Sequence, residues 1–248
     1  MISESCICSR LNFISFQSNW DLGCRKSLLL PQKRITKMPE IILPTAIFLS
    51  AALNIRAEYS GPRWQVYLFK PLTTIAILLL AGSLVCADAT YQQWILLGLL
   101  FSLFGDIFLM LPGDRFIPGL VSFLIAHLFY IAAFSREIVP FDSIIFLVIF
   151  FLAAGLFVAY AWRHLGKMRM PVAIYATAIA SMGWLAAARW DQLQSPAALW
   201  GMIGAILFVI SDTSLAFNRF VKRFRNAQLL ILSTYFIAQY LIARSVAF

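Results

Sequence analysis

The chain has 248 residues, of which 61% are apolar and 12% charged, with a mean hydropathy of +0.82 and a net charge of +9. A soluble domain needs about twice that share of charge for its surface. The composition therefore excludes an ordinary soluble enzyme, a disordered chain and a nucleic-acid module.

Residues 1–37 differ from the rest. They are Ser-rich and hold six of the twenty basic residues (Arg10, Arg25, Lys26, Lys33, Arg34, Lys37), but no apolar run long enough for a signal-peptide core. They read as a poorly ordered basic extension. Met38, directly before the first long apolar run, offers an alternative translation start. The other reading is a basic tail lying on anionic lipid. Cys6, Cys8 and Cys24 lie here and Cys86 ends a later apolar run, so neither a disulfide framework nor a zinc spacing is expected.

Eight apolar segments follow, at residues 41–55, 67–86, 94–111, 116–134, 144–162, 170–188, 197–217 and 227–243. None alternates at period 2, so helices are expected rather than barrel strands. The fold class is all-α: a polytopic bundle of eight transmembrane helices, residues 38–248, with short loops. The first and last segments are short for about 30 Å of hydrocarbon. The connections after the first, third, fifth and seventh segments hold Arg56, Arg63, Arg115, Arg163, Lys167, Arg169, Arg219, Lys222, Arg223 and Arg225. The opposite ends hold only Arg136, Arg189 and Arg244. The positive-inside rule then puts the first set in the cytoplasm and both termini outside.

An ionisable residue within a span costs about 2.5–3.5 kcal/mol on insertion scales, so each asks for a reason. Lys70, Asp106, His127 and Asp212 are the candidates, with Asn54, Tyr175, Asn218, Tyr235 and Gln239 as polar companions. At 1.5 Å per residue, Asp106 and Asp212 both fall about 8 Å from the cytoplasmic ends of their helices. Lys70, Asn54 and Tyr175 share that layer, and His127 comes out deeper, about 16 Å in. Lys70 also suits snorkelling to lipid phosphate, and the tyrosines and Gln239 suit interhelical hydrogen bonding. One buried carboxylate can pair with Lys70. A second at the same depth needs a proton or another partner.

A protonated and an ionised carboxyl in one cleft form a general acid beside a general base, which suits water attack on an acid-labile peptide, acetal or enol-ether bond. No metal and no cofactor is required. An intramembrane aspartyl protease is disfavoured because Leu103 stands where its Gly-x-Gly-Asp motif needs glycine. An ion-coupled transporter using the same aspartates is the alternative, although no inverted repeat is evident.

At these residues the chain resembles the YhhN-type membrane proteins, the lysoplasmalogenase family. The matching stretches are 59–74 (YSGPRWQVYLFKPLTT), 103–134 (LFGDIFLMLPGDRFIPGLVSFLIAHLFYIAAF), 204–220 (GAILFVISDTSLAFNRF) and 235–244 (YFIAQYLIAR), within a resemblance that covers about residues 40–248. The resemblance implies an eight-helix membrane hydrolase that cleaves the vinyl-ether bond of lysoplasmalogen, or a related lysophospholipid, to a fatty aldehyde and a glycerophospho-base. It puts the essential aspartates in the Gly-Asp and Ser-Asp motifs, at Asp106 and Asp212. It also suggests that Lys70 meets the substrate phosphate and that His127 shapes the pocket. The expected partner is a lysophospholipid in the bilayer, with no protein partner or nucleic acid. The likeness to bacterial members suggests the inner (plasma) membrane.

Overall fold

The computed structural model describes residues 38–247. The expected basic extension, residues 1–37, and its three cysteines lie outside the described residues. The chain divides into two units, residues 1–39 and 40–248, and the helical bundle is the second.

Among the described residues eight α-helices build the bundle: α1 (Met38–Ser60), α2 (Arg63–Ser83), α3 (Ala89–Met110), α4 (Phe116–Phe134), α5 (Ile144–Ala161), α6 (Arg169–Leu193), α7 (Pro196–Ala216) and α8 (Ala227–Arg244). Short 3₁₀ turns lead into α5 and α6, and α7 runs on into a π-helical turn, Phe217–Val221. Six helices are long and apolar enough to cross a membrane; α1 and α8 do not reach that mark among the described residues. Both carry polar residues within their length, Asn54, Arg56 and Glu58 in α1 and Tyr235, Gln239 and Arg244 in α8.

Polar caps set the helix ends away from the basic loops. Asp88 caps α3 by accepting from the Thr90 amide at 2.8 Å. Ser195 caps α7 by accepting from the Ala198 amide at 3.2 Å, and Pro196 follows at the first helical position, where its missing N–H is harmless. Gln194, at φ 48°, turns the chain out of α6 in the left-handed conformation.

Two antiparallel hairpins, α3–α4 and α7–α8, make the broadest contacts, with α2 seated against both α3 and α8 and α6 against α4, α5 and α7. Their core holds Ile77, Leu99, Tyr130, Phe208, Phe236 and Ile242, all fully or almost fully buried. Small residues let these helices approach closely. A methyl group at Gly105 would lie 2.5 Å from the Phe123 ring, and one at Gly204 would lie 3.0 Å from the Ala238 carbonyl oxygen. By contrast α5 is apolar all round and buries only Ala161, the pattern of a lipid-facing helix.

One expectation needs correcting. Arg189, expected in a polar gap after residue 188, sits inside α6, which continues to Leu193. Its guanidinium lies 4.4 Å over the Tyr91 ring and 3.3 Å from Glu137, so it is buried rather than solvated. An aromatic face and a carboxylate make that burial tolerable.

Candidate active site

Asp106 follows Gly105 on α3 and is almost wholly buried. Its Oδ1 lies 3.6 Å from Lys70 Nζ, and its Oδ2 accepts hydrogen bonds from Thr74 Oγ1 at 2.7 Å and Tyr235 Oη at 2.8 Å. Lys70 and Thr74 stand four apart on α2 and so share one face; Tyr235 comes from α8. Two other helices thus supply one cation and two neutral donors to a single carboxylate. Charge-assisted bonds of this kind are the strong ones, and they offset the cost of burial.

Asp212, on α7, has a different set of partners. The Tyr175 hydroxyl of α6 donates a hydrogen bond to its Oδ2. His127 Nε2 lies 3.7 Å from the same oxygen, within ion-pairing range but beyond a hydrogen bond. The other ring nitrogen, Nδ1, is 2.5 Å from the Phe123 carbonyl oxygen. A carbonyl only accepts, so Nδ1 carries a proton. In neutral His127 the bare nitrogen is therefore Nε2, and it faces Asp212. The greater depth expected for His127 overlooks side-chain direction. Side chains lean toward their helix N-terminus, so in antiparallel α4 and α7 the two lean toward each other.

Both aspartates line one cavity of about 660 Å³, together with Lys70, Ser211 and Tyr235. Its mouth is lined by Glu58 near the end of α1, Asp114 and Arg115 of the α3–α4 connection, Arg219 of the π-helical turn, and Arg223 and Arg225 of the α7–α8 connection. A second, apolar groove of about 170 Å³ opens between α5, α6 and α7, lined by Phe150, Phe157, Ile179 and Val209. Tyr175 and Asp212 line this groove too, so Asp212 borders both the polar cavity and the apolar groove. Beside the two aspartates Phe123 stacks edge to face on Phe208 and Tyr235, and Phe208 does so on His127 and Tyr235.

The remaining candidates are placed differently. Asn218 stands on the π-helical turn and lines the cavity, its Oδ1 accepting from the Phe224 amide at 3.2 Å. Gln239 lies one turn beyond Tyr235 and accepts from the Tyr130 hydroxyl at 2.7 Å, away from the cavity lining. Asn54 is fully buried in α1, also away from that lining, and its amide has no hydrogen-bond partner among the described residues. Sequence reasoning misses Thr74, although its place one turn after Lys70 is an available signal. It also takes the mouth arginines only as topology markers. Among the described residues no three of His, Cys, Asp and Glu converge as a metal site requires.

Residues 65–246 match the YhhN family. The membrane protein YhhN of Escherichia coli O157:H7 is 34% identical over 201 residues, covering 81% of this chain and 96% of that protein. Lysoplasmalogenase TMEM86A of Homo sapiens is 34% identical over 201 residues, covering 75% of this chain and 80% of that protein. A lysoplasmalogenase of Mycobacterium bovis is 31% identical over 157 residues, covering 60% of this chain and 58% of its own. No solved structure matches.

Proposed function

Because this chain belongs to the YhhN family of integral membrane proteins, we propose that it is a lysoplasmalogenase-like hydrolase cleaving the vinyl-ether bond of a single-chain phospholipid. The observation that carries this reading is that Asp212 borders both a polar cavity and an apolar groove, with Asp106 on the same polar cavity. An amphipathic lipid would span the two with its polar part in the cavity and its chain in the groove. The reacting bond joins those two parts.

The partners of the aspartates suggest their roles. Asp106, beside Lys70 and accepting two hydrogen bonds, is the carboxylate. Asp212 is the acid: its Oδ2 accepts from Tyr175, which leaves Oδ1 to carry the proton. Asp212 gives this proton to the vinyl carbon remote from the ether oxygen. Positive charge then develops on the carbon bonded to oxygen, and the Asp106 carboxylate stabilises that oxocarbenium ion in a low-dielectric site. Water adds to the same carbon and its proton returns to Asp212. The resulting hemiacetal collapses to a fatty aldehyde and a glycerophospho-base. In all, one water is consumed and one C–O bond is broken.

On this reading the cavity opens to the cytoplasm, the side favoured by the basic connections. The test is to incubate the purified full chain with lysoplasmalogen in D₂O. One deuterium should appear on the aldehyde carbon next to the carbonyl. Aldehyde without deuterium would exclude carbon protonation by an exchangeable acid. Proton flux in liposomes without lipid turnover would favour transport.

A further inference from the structure

Lys70 lies against Asp106, and its side chain is only 10% exposed. It is therefore poorly placed to receive a headgroup as well. Arg115 in the α3–α4 connection and Arg223 and Arg225 in the α7–α8 connection line the mouth of the same cavity. Among the described residues no carboxylate comes within ion-pairing range of these three. Their neighbour Arg219 is already engaged: it pairs with Asp114 and lies 5.0 Å over the Phe116 ring, which ties the two connections together. Asp114 is neutralised by that pair, leaving Glu58 as the opposing charge at the mouth.

A second observation points to the same ligand chemistry. Helix α4, 19 residues long, starts at Phe116 on the cavity wall, with no side-chain cap and no acidic residue in its first turn. Pro118 has no N–H and the Gly119 amide is taken by the Arg115 carbonyl, so the Phe116 and Ile117 amides and the positive end of the dipole are available to an anion. Three unpaired guanidiniums lining one cavity with a helix N-terminus match the acceptor-rich, negatively charged oxygens of a phosphodiester.

We infer that Arg115, Arg223 and Arg225, with the N-terminus of α4, form the site for the headgroup phosphate of a single-chain phospholipid. Resting on the hydrolase reading, the site sets specificity for phospholipid over phosphate-free alkenylglycerol. It takes over the role expected of Lys70 from the sequence. The arginines bind and orient substrate and take no part in bond breaking.

The experiment measures binding, so it does not depend on turnover. The purified full chain in detergent is titrated with a saturated 1-alkyl lysophospholipid, which lacks the cleavable bond, and with the matching 1-alkylglycerol. The wild type should bind the phospholipid at least about tenfold more tightly. In R223A/R225A most of that preference should be lost, since only Arg115 and the helix end remain, while 1-alkylglycerol binding is unchanged, which also shows that the variant is folded. R223K/R225K should fall between, since lysine keeps the charge and loses the fork. Inorganic phosphate should displace the lipid only at far higher concentration; displacement at equal concentration would overturn the lipid assignment. An undiminished preference in R223A/R225A, or parallel loss of both ligands in the lysine variant, would overturn the site. Absence of aldehyde release in a separate assay would refute the hydrolase reading alone.

Discussion

Gly105→Ala is the sharpest perturbation of the scaffold beneath the site. The new methyl would lie 2.5, 2.6 and 2.8 Å from three atoms of the Phe123 ring, where ordinary contact begins at 3.4 Å. About 1 Å of movement is therefore needed. Phe123 has little freedom to give way: its ring packs edge to face on Phe208 and Tyr235, and its carbonyl faces His127 Nδ1. Overpacking of this kind costs about 1–3 kcal/mol, against about 1 kcal/mol gained by removing glycine from a helix interior. The clash wins by about 1 kcal/mol, which corresponds to about 2–4 °C in Tm. Any shift of α4 also moves His127 relative to Asp212, so aldehyde release should fall as well. Thermal unfolding in detergent, followed for Gly105→Ala, Phe123→Leu and the double variant, provides the assay. Phe123→Leu should restore most of the loss, giving a coupling of about 1 kcal/mol. A Gly105→Ala protein as stable as wild type, or additive effects in the double variant, would show that the contact with Phe123 does not limit this position.

Three further outcomes are expected. Tyr175→Phe removes the hydroxyl that donates to Asp212 and should lower kcat at least about tenfold with KM little changed, as read from initial rates of aldehyde release. Tyr130→Phe strands the buried Gln239 carbonyl and should cost about 1–3 kcal/mol in thermal unfolding without touching the cavity. Asp88 lies outside the spans. Its slight burial raises the carboxyl, but the Arg136 guanidinium and the Tyr91 and Thr90 amides outweigh that and hold it below its ordinary value. The stabilisation is therefore complete above the ordinary aspartate pKa of about 4 and is lost as pH falls through the folded value. Asp88→Asn should flatten the dependence of Tm on pH below about 5, and an unchanged slope would contradict this.

The parts of the fold that depend on apolar run length are legible from residues alone. Helix α4 occupies the expected 116–134, and the weakness of the first and last segments reappears in α1 and α8. What stays hidden depends on three-dimensional partners. The end of α6 escapes a reading by hydropathy because burial of Arg189 rests on Tyr91 and Glu137, both far away in sequence. The separate surroundings of Asp106 and Asp212 are hidden for the same reason. Equal depth implies one site, but only helix packing assigns Lys70, Thr74 and Tyr235 to one aspartate and Tyr175 and His127 to the other. The mouth arginines are visible as charge and read as topology, because a positive-inside loop and an anion site share the same composition.

The proposed mechanism stands on Asp106 and Asp212 acting together on a vinyl-ether lipid. Its decisive measurement is aldehyde release from lysoplasmalogen by wild type, Asp106→Asn and Asp212→Asn, each checked for folding by size exclusion and thermal unfolding. Turnover by wild type is expected, with a loss of at least about a thousandfold in each folded variant. Undiminished release in either variant would contradict the two-aspartate mechanism.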